Sequence, residues 1–454
     1  MLLMSGGVVQ ALQLLAALSL LILLHEFGHY FFARLFKTRV EKFYLFFDFL
    51  FPFPGLLNFS LFKKKKGDTE YGLGWFPLGG YVKIAGMVDE SMDKEAMKQP
   101  PQPWEYRSKK PWQRLFIMLG GIIMNVLVAI FIYALIFGIW GEEYLPTQNA
   151  KYGIAVDSVG ESIGLHNGDV IVGVDGKKVD RFNMIVPEMI FNEAKVLNIQ
   201  RNGAGMDIAI PQGTVRKIIK AQRNSFIQPR TPLVVEQVSD KSAASAMGLK
   251  AGDSVIAVNN QPIMYYDEFE KIKRASANMP IALTVVRDGA TVVLNGKVPK
   301  TKLLGFAPKT YFTFFTLAKT TYNPIAAIGK GFTHTFGEIG NYWRQLKLIF
   351  TSKEIKASES VGGIVSFGKM FPSEFDWQSF LRLTAFVSII LAVMNLLPVP
   401  GLDGGYVIFL LYEMITGRQV KEKVMEVATT VGLILLLALM VYANGLDIFR
   451  LFSK

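Results

Sequence analysis

The chain has 454 residues, of which 51% are hydrophobic and only 19% are charged, so it is richer in apolar side chains than an ordinary soluble protein. The apolar residues gather in a few long runs, which indicates membrane spans rather than one soluble core. The net charge is +12, but the basic residues flank the apolar runs, which favours an anionic membrane surface over nucleic acid. The chain has no cysteine, which excludes disulfides and thiolate metal sites, so a metal would need histidine and carboxylate ligands.

Four charge-free stretches are long enough to cross about 30 Å of hydrocarbon. The first could instead be a cleaved signal peptide, but it lacks a basic start and a small-residue cleavage site. We therefore predict a polytopic α-helical membrane protein with four transmembrane helices. With the polar residues at their ends included, the spans are placed at 1–36, 114–140, 380–412 and 427–447.

The basic residues predict how these spans are oriented. The loop 33–114 holds 15 Lys and Arg against 9 Asp and Glu, and the short loop after the third span carries Arg418, Lys421 and Lys423. By the positive-inside tendency both loops are cytoplasmic, whereas the N-terminus, the long segment 141–382 and the C-terminus lie outside. The ends of the first and third spans then both arrive at the cytoplasmic side, so polar residues at these two ends are expected to meet.

The first of these ends carries the pentapeptide His25-Glu26-Phe27-Gly28-His29. In a helix, residues four apart lie on one face about 6 Å apart along the axis, so both imidazoles can bind one ion. Glu26 stands beside them, where it could take a proton from a metal-bound water. Each ionisable group at membrane depth is unfavourable without a partner or a function. The alternative is a polar helix end at the water interface whose spacing is accidental.

The second end carries the run Asn395-Leu-Leu-Pro-Val-Pro-Gly-Leu-Asp403-Gly-Gly. Its prolines stop the helix, and apolar residues follow Asp403 closely, where an isolated carboxylate would be unfavourable. Two histidines and one carboxylate, with a fourth position left for water, form the ligand set of catalytic zinc. The two ends together therefore predict a zinc site.

Together, HEFGH and NLLPVPGLDGG resemble the motifs of the site-2 protease family of intramembrane zinc metalloproteases, and within it the bacterial RseP branch. The resemblance extends over nearly the whole chain. It implies the roles that the side-chain chemistry also suggests, with His25, His29 and Asp403 as zinc ligands and Glu26 as the catalytic base. Asn395 would contact the substrate or its transition state through its amide.

The segment 164–176 returns 84 residues later as 248–260. Each copy has the pattern GL-xx-GD followed by an apolar strand and a hairpin signal. This pattern resembles PDZ domains and places two PDZ-like α+β domains at 150–225 and 230–300, between spans two and three and outside the cytoplasm. They would bind extended peptides or shortened ectodomains by strand addition. The alternative is a pair of modules that simply occupy space above the active site.

Three further features complete the predicted organisation. The cytoplasmic loop 37–113 contains the glycine-rich run 71–86, which predicts a membrane-associated β-hairpin. In the family that it resembles, such a hairpin would clamp the substrate as an added strand, and an ordinary cytoplasmic hairpin is the alternative. The segment 311–375 predicts amphipathic helices on the outer membrane face. The histidines outside the pentapeptide, His166 and His334, lack metal-binding spacing and are expected on the surface.

These features predict a zinc-dependent intramembrane endopeptidase of the bacterial inner membrane, with no nucleic-acid partner. The resemblance implies substrates that are single-span membrane proteins already shortened outside, such as anti-sigma factors and remnant signal peptides. A non-catalytic scaffold that presents PDZ-like domains is a second hypothesis, but every position that the chemistry requires is filled. A metal transporter is a third, although a single site near one face fits transport poorly.

Overall fold

The structure, a computed structural model, describes residues 6–50, 56–77, 79–87, 100–220, 226–352 and 361–452. The chain forms two compact units. The first, called here the helical unit, comprises Met1–Gly141, Thr321–Phe350 and Ser360–Lys454. The second, called the inserted unit, comprises Glu142–Thr320 and Thr351–Glu359.

The secondary structure is mixed. In chain order the described helices are α1 (Gly6–Leu35), α2 (Pro111–Ile139), α3 (Ser158–Ser162), α4 (Ile185–Phe191), α5 (Thr214–Lys220), α6 (Ala243–Ala246), α7 (Tyr266–Ala275), α8 (Pro324–Thr351), α9 (Ile364–Gly368), α10 (Trp377–Leu396), α11 (Asp403–Thr416) and α12 (Glu422–Phe452). The described strands are β1 (Val40–Leu45), β2 (Ser60–Lys66), β3 (Thr69–Gly74), β4 (Tyr81–Ile84), β5 (Glu142–Tyr144), β6 (Ile154–Val156), β7 (Val170–Val174), β8 (Lys177–Lys178), β9 (Val196–Arg201), β10 (Ala204–Ala209), β11 (Ile227–Pro229), β12 (Val235–Val238), β13 (Ser254–Val258), β14 (Gln261–Pro262), β15 (Pro280–Arg287), β16 (Ala290–Lys297), β17 (Phe306–Pro308) and β18 (Ala318–Thr320).

Four of these helices, α1, α2, α10 and α12, have the length and composition of membrane spans. The prediction of four long apolar helices is therefore confirmed. They differ in how much they pack within the protein, since 44% of the most apolar stretch of α2 is buried but only 6% of that of α12. The helix α2 is thus the central helix of the unit, and α12 presents most of its apolar side chains outward, as lipid contact requires.

The third predicted span, 380–412, is not one continuous helix. The helix α10 ends at Leu396, and Asp403 begins the separate helix α11. Prolines without a backbone N–H interrupt the helical bonding between them, and Gly401 turns the chain with a φ of +94°. Asp403 therefore lies at the start of a new helix rather than at the end of a span.

The helices α1 and α2 cross at van der Waals contact of their backbones. A Cβ atom added to Gly28 would overlap the carbonyl oxygen of Gly120, and one added to Gly120 would meet the carbonyl oxygen of Gly28. Without a hydrophobic effect between helices in lipid, such small residues permit the close approach that gives dispersion its strength. Away from the crossing, buried Leu21 of α1 and Ile132 of α2 join an apolar cluster that includes Ile389 of α10.

The run 71–86 does not form a hairpin of its own, so that prediction is wrong. The strands β3 and β4 are separated by β1 in a sheet of order β2-β3-β1-β4, where β1 is parallel to β3 and antiparallel to β4. The buried ring of Tyr44 in β1 occupies the space above Gly72 and stacks on Tyr81 at 5.3 Å. The hairpin that does form is β2–β3. The strand β4 is an edge strand of this sheet.

The predicted amphipathic region 311–375 contains a 28-residue helix, α8. It packs along α2, where a Cβ atom on Gly331 would overlap the backbone of Ala134. The ring of His334 lies 4.5 Å from that of Tyr133 and 5.2 Å from that of Phe137. His334 is therefore packed against two aromatic rings of α2 and is only partly exposed, less than a free surface residue would be. His166, by contrast, is exposed as predicted.

The inserted unit contains two copies of one arrangement. The first copy forms a sheet of order β10-β9-β7-β8, and the second forms a sheet of order β16-β15-β13-β14. In both sheets the fourth strand along the chain is at one edge, followed by the third, the first and the second. Each copy adds a pair of short strands, β6–β11 in the first and β12–β17 in the second. The predicted duplication is thus present in the fold, although the copies extend past 225 and 300 to Pro229 and Pro308. Their assignment as PDZ-like domains stays a prediction.

Each copy is held together by an equivalent ion pair. Asp169 accepts two bonds of 2.8 Å from the guanidinium of Arg201, and Asp253 accepts two of 2.7 Å from Arg287. Both carboxylates are at most 1% exposed. In each copy the arginine also bonds the carbonyl of the glycine that opens the repeat, and a backbone N–H two residues after that glycine bonds the aspartate. The repeated GD pattern therefore marks a structural ion pair.

Candidate metal centre

The two histidines and the aspartate predicted as ligands come together in the helical unit. The Nε2 atoms of His25 and His29 are 3.3 Å apart, and each lies 3.4 Å from Oδ2 of Asp403. In the described part of the chain this is the one group of three or more acidic or histidine side chains positioned to hold a metal ion. The three atoms form a nearly equilateral triangle.

This triangle fits a tetrahedral metal. For bonds of about 2.0–2.1 Å to nitrogen and oxygen, the ligand atoms of a tetrahedral zinc site are about 3.3–3.4 Å apart, which is the separation observed. The Oδ2 atom of Asp403 is buried and has no hydrogen-bond partner in the described structure. A buried carboxylate oxygen without a donor is unfavourable unless a cation faces it. The residues present therefore suit a zinc ion with three protein ligands and one open position.

Local structure places the ligands on two elements. His25 and His29 are four residues apart on α1, which remains helical to Leu35, so their rings project from one face. The aspartate is the first residue of α11, which lies just after the turn that follows α10. That position brings its side chain to the helix N-terminus, where a carboxylate is favoured by the helix dipole.

Both imidazoles are oriented by α2. The Nδ1–H of His29 donates to the carbonyl oxygen of Ile117 at 2.8 Å, which leaves Nε2 free for a metal. The Nδ1 of His25 lies 3.1 Å from the side-chain amide of Asn125, which is fully buried. The Oδ1 atom of this amide has no partner as placed, and the oxygen and nitrogen of an amide are assigned from their hydrogen bonds. Turning the amide by 180° lets the Nδ1–H of His25 donate to Oδ1, so both rings present Nε2 to the metal.

The helix α2 also leaves room for the rings. A Cβ atom on Gly121 would overlap the imidazoles of His25 and His29. Any side chain here would push the rings away from Asp403. The helix α2 thus positions the two histidine ligands of α1 through three groups: Gly121, the Asn125 amide and the carbonyl of Ile117.

A cavity of about 370 Å³ opens at the three ligands. Glu26 lines it beside the histidines, and the backbone N–H of Val82 in β4 faces the Glu26 carboxyl. A Cβ atom on Gly80 would touch the Glu26 side chain at 3.5 Å. The strand β4, at the edge of the described sheet, therefore runs past the residue predicted as the base. The wall combines apolar groups with the charged side chains of Lys42, Asp48 and Lys83.

Asn395 is the predicted site residue that the structure does not bring to this cavity. It lies in the last turn of α10 and is partly buried. It is not among the described residues that line the cavity at the metal ligands. Its predicted contact with a substrate therefore depends on how a substrate enters.

Three features of the site lay beyond the predictions. Asn125 could have been found, because one amide in the middle of an apolar span is unfavourable without a partner. The role of Gly121 required knowing that α1 and α2 cross at this level. The carbonyl of Ile117 has no signature at all in the side-chain pattern.

Comparison with known proteins shows the family to which the chain belongs. Peptidase family M50 matches residues 13–439, a range that contains all the predicted site residues. The chain belongs to peptidase family M50. The regulator of sigma-E protease RseP of Escherichia coli K12 is 28% identical over 475 residues, which cover 97% of each chain. A protein of Neisseria meningitidis serogroup A that is named a zinc metalloprotease is 30% identical over 467 residues, covering 97% of this chain and 99% of the relative. This M50 peptidase is therefore a membrane metalloprotease.

Proposed function

We propose that the protein is a zinc-dependent endopeptidase that cleaves the membrane segments of single-span proteins. The observation that carries the proposal is the triangle of His25, His29 and Asp403, which lies at the ends of apolar helices and opens on a cavity. Relatives are named regulator of sigma-E protease and zinc metalloprotease. By that similarity, the substrates are anti-sigma factors and remnant signal peptides left after a first cut outside the membrane.

In this proposal the chain's own residues position the reaction. Zinc, when bound by the three ligands, polarises the scissile carbonyl and lowers the pKa of the attacking water. Glu26 accepts a proton from that water and returns it to the leaving amine. Asn125 and the Ile117 carbonyl orient both imidazoles so that each presents its Nε2 to the metal.

The edge strand β4 is the proposed docking strand for the substrate. An edge strand offers unpaired backbone groups to an extended peptide, and this edge lies beside Glu26. A helical substrate hides its carbonyls, whereas an added strand exposes alternate ones to the metal. Asn395 would hold the substrate backbone where it leaves the sheet.

The family and the charge pattern support a proposed location. We place the chain in the bacterial inner membrane, with the metal centre near the cytoplasmic side and both termini outside. The two copies of the inserted unit act as PDZ-like domains that receive shortened ectodomains or free peptide ends.

Cleavage of a tagged single-span substrate by the purified full-length protein tests the proposal. Glu26→Gln is expected to lower the rate by at least about 100-fold, as loss of a general base does, with zinc content unchanged. A zinc chelator should abolish cleavage, and added zinc should restore it. Glu143→Gln, which alters an exposed glutamate of the inserted unit, is the matched control and should cleave normally. Cleavage by Glu26→Gln at the wild-type rate would reject Glu26 as the base.

A further inference from the structure

A buried ion pair joins α2 to α11, away from the metal ligands. Arg114, in the first turn of α2, bonds Glu413 near the end of α11. The two residues are 8% and 9% exposed, and the guanidinium also lies 5.9 Å from the ring centre of buried Tyr106. The function proposed above assigns no role to this pair.

The pair lies on the same face of α11 as the metal ligand. Asp403, Val407, Leu410 and Glu413 follow one another at intervals of three or four residues, which places them on one side of a helix. The two apolar members are buried against Ile117 and its neighbours on α2. The metal centre and the ion pair therefore mark the two ends of one helix–helix contact, about 15 Å apart along α11.

The facing side of α2 is continuous in the same way. Arg114 bonds Glu413, Ile117 accepts from His29, Gly121 lies beneath both imidazoles and Asn125 contacts His25. These residues follow one another at intervals of three or four along α2 and share one face. The helix α2 thus positions all three ligands. It contacts the two histidines directly, and it contacts α11, which carries Asp403.

Besides the ion pair, α11 has a close contact of its first turn with the end of α10, where a Cβ atom on Gly404 would overlap the carbonyl oxygen of Leu397, and apolar packing along its length. Its N-terminus follows a turn in which Gly401 has a φ of +94°, and no side chain caps it. The apolar contacts of Val407 and Leu410 tolerate sliding and rotation, because dispersion has no preferred direction. An arginine–carboxylate bond has a defined geometry and does fix rotation and register.

The pair is poorly built as a source of stability. The Nε atom of Arg114 is buried and has no hydrogen-bond partner in the described structure. A buried ion pair whose donors are incompletely satisfied is often replaceable by apolar residues without loss of stability. Positional specificity is the better-supported role for such a pair.

We propose that Arg114 and Glu413 are positioning residues that set the rotation and register of α11 on α2, and so place Oδ2 of Asp403 opposite the two histidines. The proposal rests on the zinc site described above. It extends that site to two residues that touch neither the metal nor the substrate.

The test measures zinc affinity of the full-length protein by competition with a chelator, beside thermal unfolding of the zinc-free protein. The variant Arg114→Met/Glu413→Met removes both charges and leaves none uncompensated. We expect it to unfold at the wild-type temperature or higher, with zinc affinity at least about tenfold weaker, the size of effect known for outer-shell partners. The single variant Glu413→Ala should also bind zinc more weakly than the wild type. The reversed pair Arg114→Glu/Glu413→Arg should bind zinc more tightly than Glu413→Ala, because it restores an ion pair between the two helices.

Asp447→Asn is the matched control. This carboxylate of α12 is 3% exposed and accepts a 2.8 Å bond from the backbone of Ser366, so it is equally buried but remote from α11. Its substitution should lower the unfolding temperature and leave zinc affinity at the wild-type value.

Two results would overturn the positioning role. One is wild-type zinc affinity in the double methionine variant and in Glu413→Ala. The other is failure of the double methionine variant to fold, which would make the pair a requirement of the fold itself. Absence of zinc binding in the wild type would instead reject the proposed function and the positioning role together, and it would be seen before any variant is compared.

Discussion

Two aspartates with buried carboxylate oxygens serve opposite purposes in the two units of this protein. Asp253 of the inserted unit receives two bonds from Arg287 and one from the backbone of Lys250. Asp403 of the helical unit has both imidazole Nε2 atoms at 3.4 Å, yet its buried Oδ2 has no hydrogen-bond partner in the described structure. One carboxylate is saturated by donors, and the other leaves its oxygen for a cation.

The contrast separates structural from chemical use of the same side chain. A saturated carboxylate holds two segments together and has nothing left to bind. An unsaturated one at a buried position is unfavourable by itself and becomes favourable when a metal occupies the site. Hydrogen-bond saturation is thus a better guide to function here than burial, since the fully saturated Asp253 is the more buried of the two aspartates.

The largest expected effect distinguishes the two aspartates directly. Asp403→Asn should remove zinc from the purified protein and abolish cleavage, while the zinc-free protein unfolds at or above the wild-type temperature because an unpaired buried charge is gone. Asp253→Asn should do the reverse, lowering the stability of the inserted unit with full zinc content. Zinc stoichiometry and thermal unfolding measure both. Normal zinc content in Asp403→Asn would contradict its role as a ligand.

A smaller but still large effect is expected where α2 supports the imidazoles. Gly121→Ala adds a Cβ atom that overlaps both rings, so the ligands must shift. A displacement of about 1 Å at a reacting centre can lower a rate by about 100-fold, and cleavage should fall by that order. Gly138→Ala, on the same helix, adds a Cβ atom whose nearest neighbour is Ala327 Cβ at 3.6 Å and should cleave normally. Equal rates for the two variants would show that the rings do not depend on this close approach.

A third effect concerns the orientation of His25. Asn125→Leu removes the amide beside Nδ1 of His25 and should weaken zinc binding by about 10- to 100-fold, as loss of an outer-shell partner does. Asn125→Asp keeps an acceptor for the Nδ1–H and should bind zinc far better than the leucine variant. Zinc competition measures both. If leucine and aspartate behave alike, the amide fills space and does not orient the ring.

The smallest expected effect is the acid response of the inserted unit. The bonds from Arg287 hold the pKa of Asp253 below its ordinary value, and although burial raises the pKa of Asp169, the bonds from Arg201 outweigh it and lower that pKa too. A carboxyl with a lowered folded-state pKa contributes stability above its ordinary pKa of about 3.9 and loses it as the pH falls below that value. Hydrogen exchange of the full-length protein should therefore show the inserted unit weakening between about pH 4 and pH 2. The variant Asp253→Asn should be less stable than the wild type at pH 7 and should lose less stability when the pH falls. If the variant and the wild type lose the same stability on acidification, the Asp253–Arg287 pair is not the origin of the acid response.

The metal ligands were predictable because each follows a local rule. His25 and His29 are four residues apart on a helix, and Asp403 follows two prolines that end one. Asn125 contacts His25 from 100 residues away, and no local rule relates two positions on different helices. Because an amide in an apolar span is energetically unfavourable, the sequence indicates that Asn125 has a partner but does not indicate which residue it is.

The strand arrangement was less predictable for a related reason. The run 71–86 contains two strands, and neighbouring strands usually pair, so a hairpin was expected. The strand β1 lies between them because Tyr44 needs the space over Gly72 and a stack on Tyr81. Such side-chain packing decides between pairings that the strand pattern alone leaves equal. The packing of α8 against α2 could not be predicted either, because an apolar stripe on a helix can face lipid or protein equally well.

The backbone contact between Gly28 and Gly120 also determines where a substrate can enter. No lipid chain or peptide fits between two helices whose main chains touch, so the route to the metal does not pass between α1 and α2. The helix α12 makes an equally close contact, since a Cβ atom on Gly432 would overlap the carbonyl oxygen of Pro400, although most of its surface faces outward. A peptide that approaches from the side that α12 borders has to pass beside this backbone contact, so both close contacts limit the routes that lead to the metal.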